Sequence, residues 1–555
     1  MFELRMQFFN IIGIVIIATT LYRANAIQVD TSLGKILGTT LKSRLGADFY
    51  AFRGIRYAQS PEGELRFQNP KPYPPWKPAI LDAIEDGPMC PQVTENVTDM
   101  SEDCLRLNVY TKDLNAKKPV VVYLHPGGFY SVSAQSKNFA GPENFMDRDI
   151  VLVTLNYRLG TLGFLAVGSA EAPGNAGLKD QVEALRWIQS HISHFGGDPN
   201  SVTLFGYSAG SFSIGLHMMS PMSKGLFHRG IMMSASPLGQ FDYESRQKRL
   251  SDRQAELLNC PKEPASDLVK CLKKKPMMDF VTTSAQMFDF NWNPILNWLP
   301  VIEEDFGQER FLVENPYKTI QSSNFQKVPI IIGITEYEFV ERAYYLQLNE
   351  TTKKWLNEEF EMYAPIILLY ERDTARSKSI SKTLRSTYLG NATLELPNTL
   401  DSFGKLYSDG IIGFEYHRFL DLLSRVTTVY TYLFTYKGRY SHFTYNNEVY
   451  GAVHHDELLY LLHVPVKTPL FKKTDPENGV IENLTRMWSQ FARTGDPNNA
   501  TDEYLKDIKW PAYTNDKKPY LVIGNDLDVK EGGIFSQRFQ IWDELFPVPK
   551  FNKCH

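Results

Sequence analysis

Residues 202–210 constrain this chain more than any other segment. Val202-Thr203-Leu204-Phe205 reads as a short buried strand, Gly206-Tyr207-Ser208-Ala209-Gly210 follows without a spacer, and residues 211–219 are compatible with a helix. A serine in the pattern G-x-S-x-G between strand and helix is the sequence form of a nucleophile elbow. The turn is so tight that only small residues fit beside the serine. It lifts the hydroxyl above the carboxyl end of the strand and sets it at the positive end of the next helix, where the amide of Ala209 faces any developing oxyanion.

Such a turn needs alternating strands and helices around it, and the sequence supplies them. Residues 120–125, 150–156, 202–206, 230–234, 328–334 and 429–434 are short, apolar and rich in β-branched side chains, as strands buried on both faces are. Leu178, Val182, Leu185, Ile188 and Ile192 recur on one helical face, as do Ile481, Leu484, Met487, Trp488 and Phe491. The expectation is an α/β fold with a large, mostly parallel central sheet flanked by helices. The charged, helix-like stretch at about 340–425 is expected to form a lid or subdomain insertion. With no repeat, low-complexity tract or Gly/Ser linker, residues 27–555 read as a single domain.

The first 26 residues read as a signal peptide. Arg5 precedes an apolar run from Phe8 to Ala18 that is shorter than a membrane span, and Ala24-Asn25-Ala26 offers a small-x-small cleavage site. No later run is long and apolar enough for a stable membrane anchor, so a secreted, extracellular protein is expected. Five sequons agree with secretion: Asn96, Asn349, Asn391, Asn483 and Asn499. In an oxidising compartment the five cysteines read as disulfides. Local pairs Cys90–Cys104 and Cys260–Cys271 are the simplest arrangement, although four cysteines allow three connectivities. Cys554 is left over, available for a disulfide-linked homodimer or as a capped thiol. The charge balance of 59 basic against 63 acidic residues excludes a dedicated nucleic-acid binder.

A second loop fits acyl-transfer chemistry. His125-Pro126-Gly127-Gly128-Phe129 follows the strand at 120–124. Pro126 has no N–H, whereas Gly127 and Gly128 can aim amides at a tetrahedral oxygen. Residues 195–210, running from Phe195-Gly196-Gly197-Asp198-Pro199 through the Ser208 elbow, resemble the serine signature of the type-B carboxylesterase/cholinesterase family. Glu102-Asp103-Cys104-Leu105 with Leu107-Asn108-Val109 resembles its second signature, with Arg106 and Lys112 as departures. Residues 52–58 are also similar, with Arg56 where the family usually has proline. The likeness runs from about 28 to 545.

That resemblance implies an α/β-hydrolase fold and a serine carboxylesterase working through an acyl-enzyme intermediate. It places the base at His454 in Gly451-Ala452-Val453-His454-His455-Asp456, with His455 as the competitor where a small residue is usual. It places the acid at Glu338, five residues after Gly333, with Glu336 as the competitor and bulky Phe339 in place of a small residue. It implies the pairings Cys90–Cys104 and Cys260–Cys271, the structural ion pairs Arg66–Glu102 and Arg158–Asp180, and an oxyanion hole of Gly127, Gly128 and Ala209. No metal or organic cofactor is required. The loop at 91–103 has no aromatic residue to face a quaternary ammonium, and Tyr207 stands where cholinesterases carry Glu, so a choline ester is disfavoured. Juvenile hormone esterases usually have Gln there, a milder objection. The apolar stretch 292–300 is expected to line the acyl pocket, suiting a small neutral or hydrophobic ester. A non-catalytic adhesion protein and a slow-turnover, ester-sequestering esterase are the alternatives on this scaffold. Retention of all three triad residue types argues against the first.

Overall fold

The computed structural model describes residues 26–93, 99–244 and 246–551. The expectations for the signal peptide (all but its last residue), Asn96 and Cys554 lie outside the described residues.

Among the described residues, thirteen strands form one sheet. Its middle is seven parallel strands lying side by side in the order Val151–Leu155, Lys118–Leu124, Gly197–Tyr207, Arg229–Met233, Ile330–Thr335, Val429–Phe434 and Tyr520–Ile523. Antiparallel strands extend it at both edges: Arg106–Thr111, Asp48–Arg56, Lys35–Lys42 and Ala26–Asp30 on one side, Leu527–Lys530 on the other. Alternation along each strand sends side chains to two separate cores. Val120, Val122 and Leu124 join Leu178, Val182 and Ile188 of the helix Ala176–His191 and Phe212 and Leu216 of the helix Ala209–Met219. Val121 and Tyr123 face the opposite way, onto Ile481, Leu484 and Trp488 of the helix Asn478–Thr494. This is the helix-flanked α/β sheet expected from the sequence, and it explains why the central strands are largely apolar on both faces.

The stretch from Val340 to Leu423 is six helices joined by short turns. The last two are linked by a π-helical turn, Asp409–Gly413. That turn carries Ile411 and Ile412 into the cavity described below. Two disulfides, Cys90–Cys104 and Cys260–Cys271, close the expected local loops with Cα separations of 5.0 and 5.8 Å.

The ion pairs expected from resemblance are present. Arg66 pairs with Glu102, and Arg158 makes a two-pronged contact with Asp180, Nε to Oδ2 at 2.8 Å and Nη2 to Oδ1 at 2.6 Å. Asp180 also accepts the backbone N–H of Arg158 at 3.1 Å, tying the segment just after the strand Val151–Leu155 to the helix Ala176–His191. Both side chains are buried, so Arg158→Met leaves a carboxylate without its counter-charge. A loss of about 3–5 kcal/mol is expected, read as a lower urea midpoint, with partial recovery in the double variant with Asp180→Asn. Two departures from the family pattern also find a common partner. Arg56 and Arg106 both bind Asp103, at 2.6 and 2.5 Å, so the two unusual arginines share one carboxylate.

Candidate functional site

The elbow forms where the sequence puts it. Ser208 sits at φ 52°, ψ −119°, between the strand Gly197–Tyr207 and the helix Ala209–Met219. A non-glycine residue with positive φ is strained, and here the surroundings enforce it. The Ser208 amide donates to the Met233 carbonyl at 2.8 Å, and its carbonyl accepts from Phe212 at 2.8 Å. The need for small neighbours is steric. A Cβ on Gly210 would collide with the Leu124 carbonyl, and one on Gly206 would lie 2.5 Å from the Gly210 carbonyl.

The glycine loop lies beside the elbow. Gly127 has φ 107°, and a Cβ there would run into the Ser131 carbonyl. The amides of Gly127, Gly128 and Ala209 have no acceptor among the described residues. The loop is anchored at its start by His125, whose ring stacks on Tyr157 with centroids 4.2 Å apart. The His125 Nδ1–H donates to the Pro126 carbonyl at 2.8 Å, and the Tyr157 hydroxyl donates to the His125 carbonyl at 2.9 Å.

Burial holds His125 neutral, lowering its pKa to about 4. As pH falls the unfolded chain takes up this proton first, near 6.5, so the stabilisation present above that value is lost progressively toward about 4. One such group corresponds to about 3 kcal/mol. His217, wedged between Ser223 and Gln181 and pushed down to about 3, adds to the same slope. Urea midpoints are therefore expected to fall between pH 6.5 and 4, and His125→Asn is expected to flatten that slope by about one proton's worth.

The acid and base loops are zipped together. Tyr337 and Val453 form a parallel bridge, the Tyr337 amide donates to the Ala452 carbonyl at 2.9 Å, and the His454 amide donates to the Glu338 carbonyl at 2.7 Å. This brings the buried side chains of Glu338 and His454 into contact, Oε2 to Nδ1 at 2.5 Å. The other carboxylate oxygen, Oε1, accepts the Ser234 hydroxyl at 2.6 Å and the Thr335 amide at 2.8 Å. Phe339, the bulky residue after the acid, has an ordinary negative φ and packs its ring 4.1 Å from the His454 imidazole. His454 Nε2 is buried and has no hydrogen-bond partner among the described residues.

Ser208, Gly127, Gly128 and His454 line one cavity of about 140 Å³. Its apolar wall includes Ile295, Leu296, Phe339, Ile411 and Ile412. The competitors lack this pairing. Among the described residues Glu336 makes no hydrogen bond or ion pair with either histidine, and no carboxylate is bonded to the His455 ring; Asp456 binds His442 instead, at 3.0 Å. The expected acyl-pocket stretch contributes Ile295 and Leu296, but Trp292 and Trp298 do not line this cavity.

Sequence reasoning missed three supporting groups. Ser234 follows the strand Arg229–Met233, which pairs with the nucleophile strand, and nothing local in the sequence marks it. Asp456 holds the histidine loop by accepting from the Ser441 hydroxyl and from the His442 and Val453 amides. Glu457 is fully buried against the Tyr207 and Tyr432 hydroxyls, and burial with the nearby Glu338 charge drives its pKa well up.

Comparison with known proteins identifies the family. The sequence model of the carboxylesterase family matches residues 25–542. A juvenile hormone esterase of Tribolium castaneum is 33% identical, over 90% of this chain and 88% of that protein. A carboxylic ester hydrolase of Bombus ignitus is 32% identical, over 93% and 94%. The crystal structure of a juvenile hormone esterase from Manduca sexta, with OTFP covalently attached, superposes with a TM-score of 0.82 at 26% identity, covering 94% of this chain and 99% of that one.

Proposed function

This chain belongs to the carboxylesterase family and is a carboxylic ester hydrolase, and from that premise we propose that it works by a two-step acyl transfer through Ser208, His454 and Glu338. The observation that carries the reading is the buried, unpartnered Nε2 of His454, backed by Glu338 and sharing a cavity with Ser208.

A serine hydroxyl is a weak nucleophile until a base accepts its proton. Glu338 accepts the Nδ1–H of His454, which leaves the Nε2 lone pair for that role. His454 takes the Ser208 proton as Oγ attacks the ester carbonyl. The tetrahedral oxygen gathers charge and is held by the amides of Gly127, Gly128 and Ala209, which need no reorganisation to donate. His454 then gives its proton to the departing alcohol, leaving an acyl-Ser208 ester. Water enters, loses a proton to His454 and releases the carboxylic acid, and the proton returns to Ser208.

The apolar wall favours a small, uncharged or hydrophobic ester. The names of the relatives share ester hydrolysis. Secretion is proposed from residues 1–26, the sequons and the two disulfides. Asn349 and Asn391 are exposed and open to glycosylation, while Asn483 and Asn499 are half-buried. Among the described residues no helix is long and apolar enough to cross a membrane.

A fluorophosphonate probe tests the reading. One label per chain is expected, on the peptide containing Ser208, with loss of hydrolysis in step with labelling. Labelling of a different residue, or hydrolysis that survives complete labelling, overturns it.

A further inference from the structure

The cavity holds a second imidazole that the proposed chemistry does not use. His455 lines it together with Ser208 and His454, and the two rings lie 4.3 Å apart. Its backbone is in the left-handed region at φ 80°, which few residues other than glycine adopt. The position is nonetheless fixed. The His455 amide donates to the Tyr207 hydroxyl at 2.7 Å, and that hydroxyl donates in turn to Glu457 at 3.1 Å. The ring is flanked edge-on by Tyr207 at 4.8 Å and by His442 at 5.5 Å.

Held this way, His455 presents a buried Nε2 with no hydrogen-bond partner among the described residues. A buried polar atom left unpaired is costly, and at a cavity wall a ligand can satisfy it. The charge state narrows what that ligand is. Burial opposes protonation, and His454, His442 and Lys467 oppose it further, so the imidazole stays neutral. A neutral imidazole donates at one nitrogen and accepts at the other, and it offers no counter-charge to an anion. Most of the remaining wall is apolar; besides Ser208, its hydroxyl-bearing residues are Tyr130 and Ser131, and the Ser131 hydroxyl is already bonded to the Gly127 carbonyl at 3.1 Å.

We propose that His455 is a specificity-determining residue: its imidazole hydrogen-bonds an uncharged oxygen, as of an ether, hydroxyl or carbonyl, carried by the ester near the scissile bond. The preferred substrate is then an apolar ester with one such oxygen, rather than a plain hydrocarbon ester. This deepens the acyl-transfer reading and rests on it.

The test compares saturated straight-chain esters with their oxa analogues, in which one methylene becomes an ether oxygen. The oxygen is moved stepwise along the acyl chain and along the alcohol chain. For each pair the ratio of kcat/KM, oxa over hydrocarbon, is measured in wild type, His455→Gly and His455→Asn. Intrinsic reactivity cancels when ratios are compared between proteins. At one or more oxygen positions the wild-type ratio is expected to exceed that of His455→Gly by roughly tenfold, as befits one neutral hydrogen bond. His455→Asn, which tolerates the left-handed backbone and keeps a polar tip, should fall between. Ratios that match in all three proteins at every position overturn the proposal, including the case where all esters slow equally. Fluorophosphonate labelling at Ser208 is run on each protein. A wild type that fails to label there indicts the acyl-transfer reading, whereas normal labelling with unchanged ratios indicts the role of His455 alone. A glycine variant that does not label is set aside as misfolded, and the comparison then rests on the asparagine variant.

Discussion

Ser208→Ala is expected to lower kcat by about a millionfold, the scale of loss when the nucleophile of a serine triad is removed. The fold should be indifferent to the change. The Ser208 hydroxyl makes no hydrogen bond among the described residues, and the strain at φ 52° belongs to the backbone, which alanine inherits. The urea midpoint is therefore expected to stay put while turnover of a chromogenic acetate ester falls by that factor. Residual catalysis of about a thousandfold over water remains reasonable, because the amides of Gly127, Gly128 and Ala209 still polarise the carbonyl. His454→Ala should cost about as much, and the double variant hardly more than either single one, because two residues acting on one proton transfer do not add. Turnover of the alanine variant within tenfold of wild type would place the nucleophile elsewhere.

The parts of this molecule written in local sequence were legible, and the parts set by distant pairing were not. The elbow could be read because steric demand is local: Gly206 and Gly210 leave no room for a side chain, and the strand and helix adjoin them. Six of the seven central strands could be read because burial on both faces makes them largely apolar runs; the short strand Tyr520–Ile523 was not among them. The edge strands could not. Lys35–Lys42 and Asp48–Arg56 mix lysine, threonine, glycine and arginine with apolar residues, and only their antiparallel partners make them strands. Within the site, Glu338 and His454 were located by resemblance rather than by physics, since they are 116 residues apart and nothing in either segment specifies the other. Ser234 was invisible for the same reason: a serine at a strand end is unremarkable until the neighbouring loop lays a carboxylate over it. The two arginines that depart from the family pattern looked like blemishes in sequence. In three dimensions Arg56 and Arg106 share Asp103, so they compensate rather than disrupt.

Glu338→Gln separates an orienting carboxylate from a merely adjacent one, and a fall in kcat of about ten-thousandfold is expected. The argument turns on which atoms already hold protons. Glu338 Oε1 receives two donors, the Ser234 hydroxyl and the Thr335 amide. A glutamine in the same place must therefore set its carbonyl oxygen toward those donors and its NH2 group toward His454 Nδ1. Nδ1 then has to accept instead of donate, which moves the imidazole proton to Nε2. An Nε2 that carries a proton has no lone pair for Ser208, so the base is disabled by its tautomer although nothing in the site has moved. Removal of the negative charge also leaves the imidazolium of the transition state unsupported. The variant should fold with a near-normal urea midpoint and react with a fluorophosphonate far more slowly than wild type. Glu338→Asp, which keeps the charge and shortens the reach, should lose much less. If the glutamine variant loses less than tenfold, Glu338 does not orient the base, and the short contact to His454 is structural.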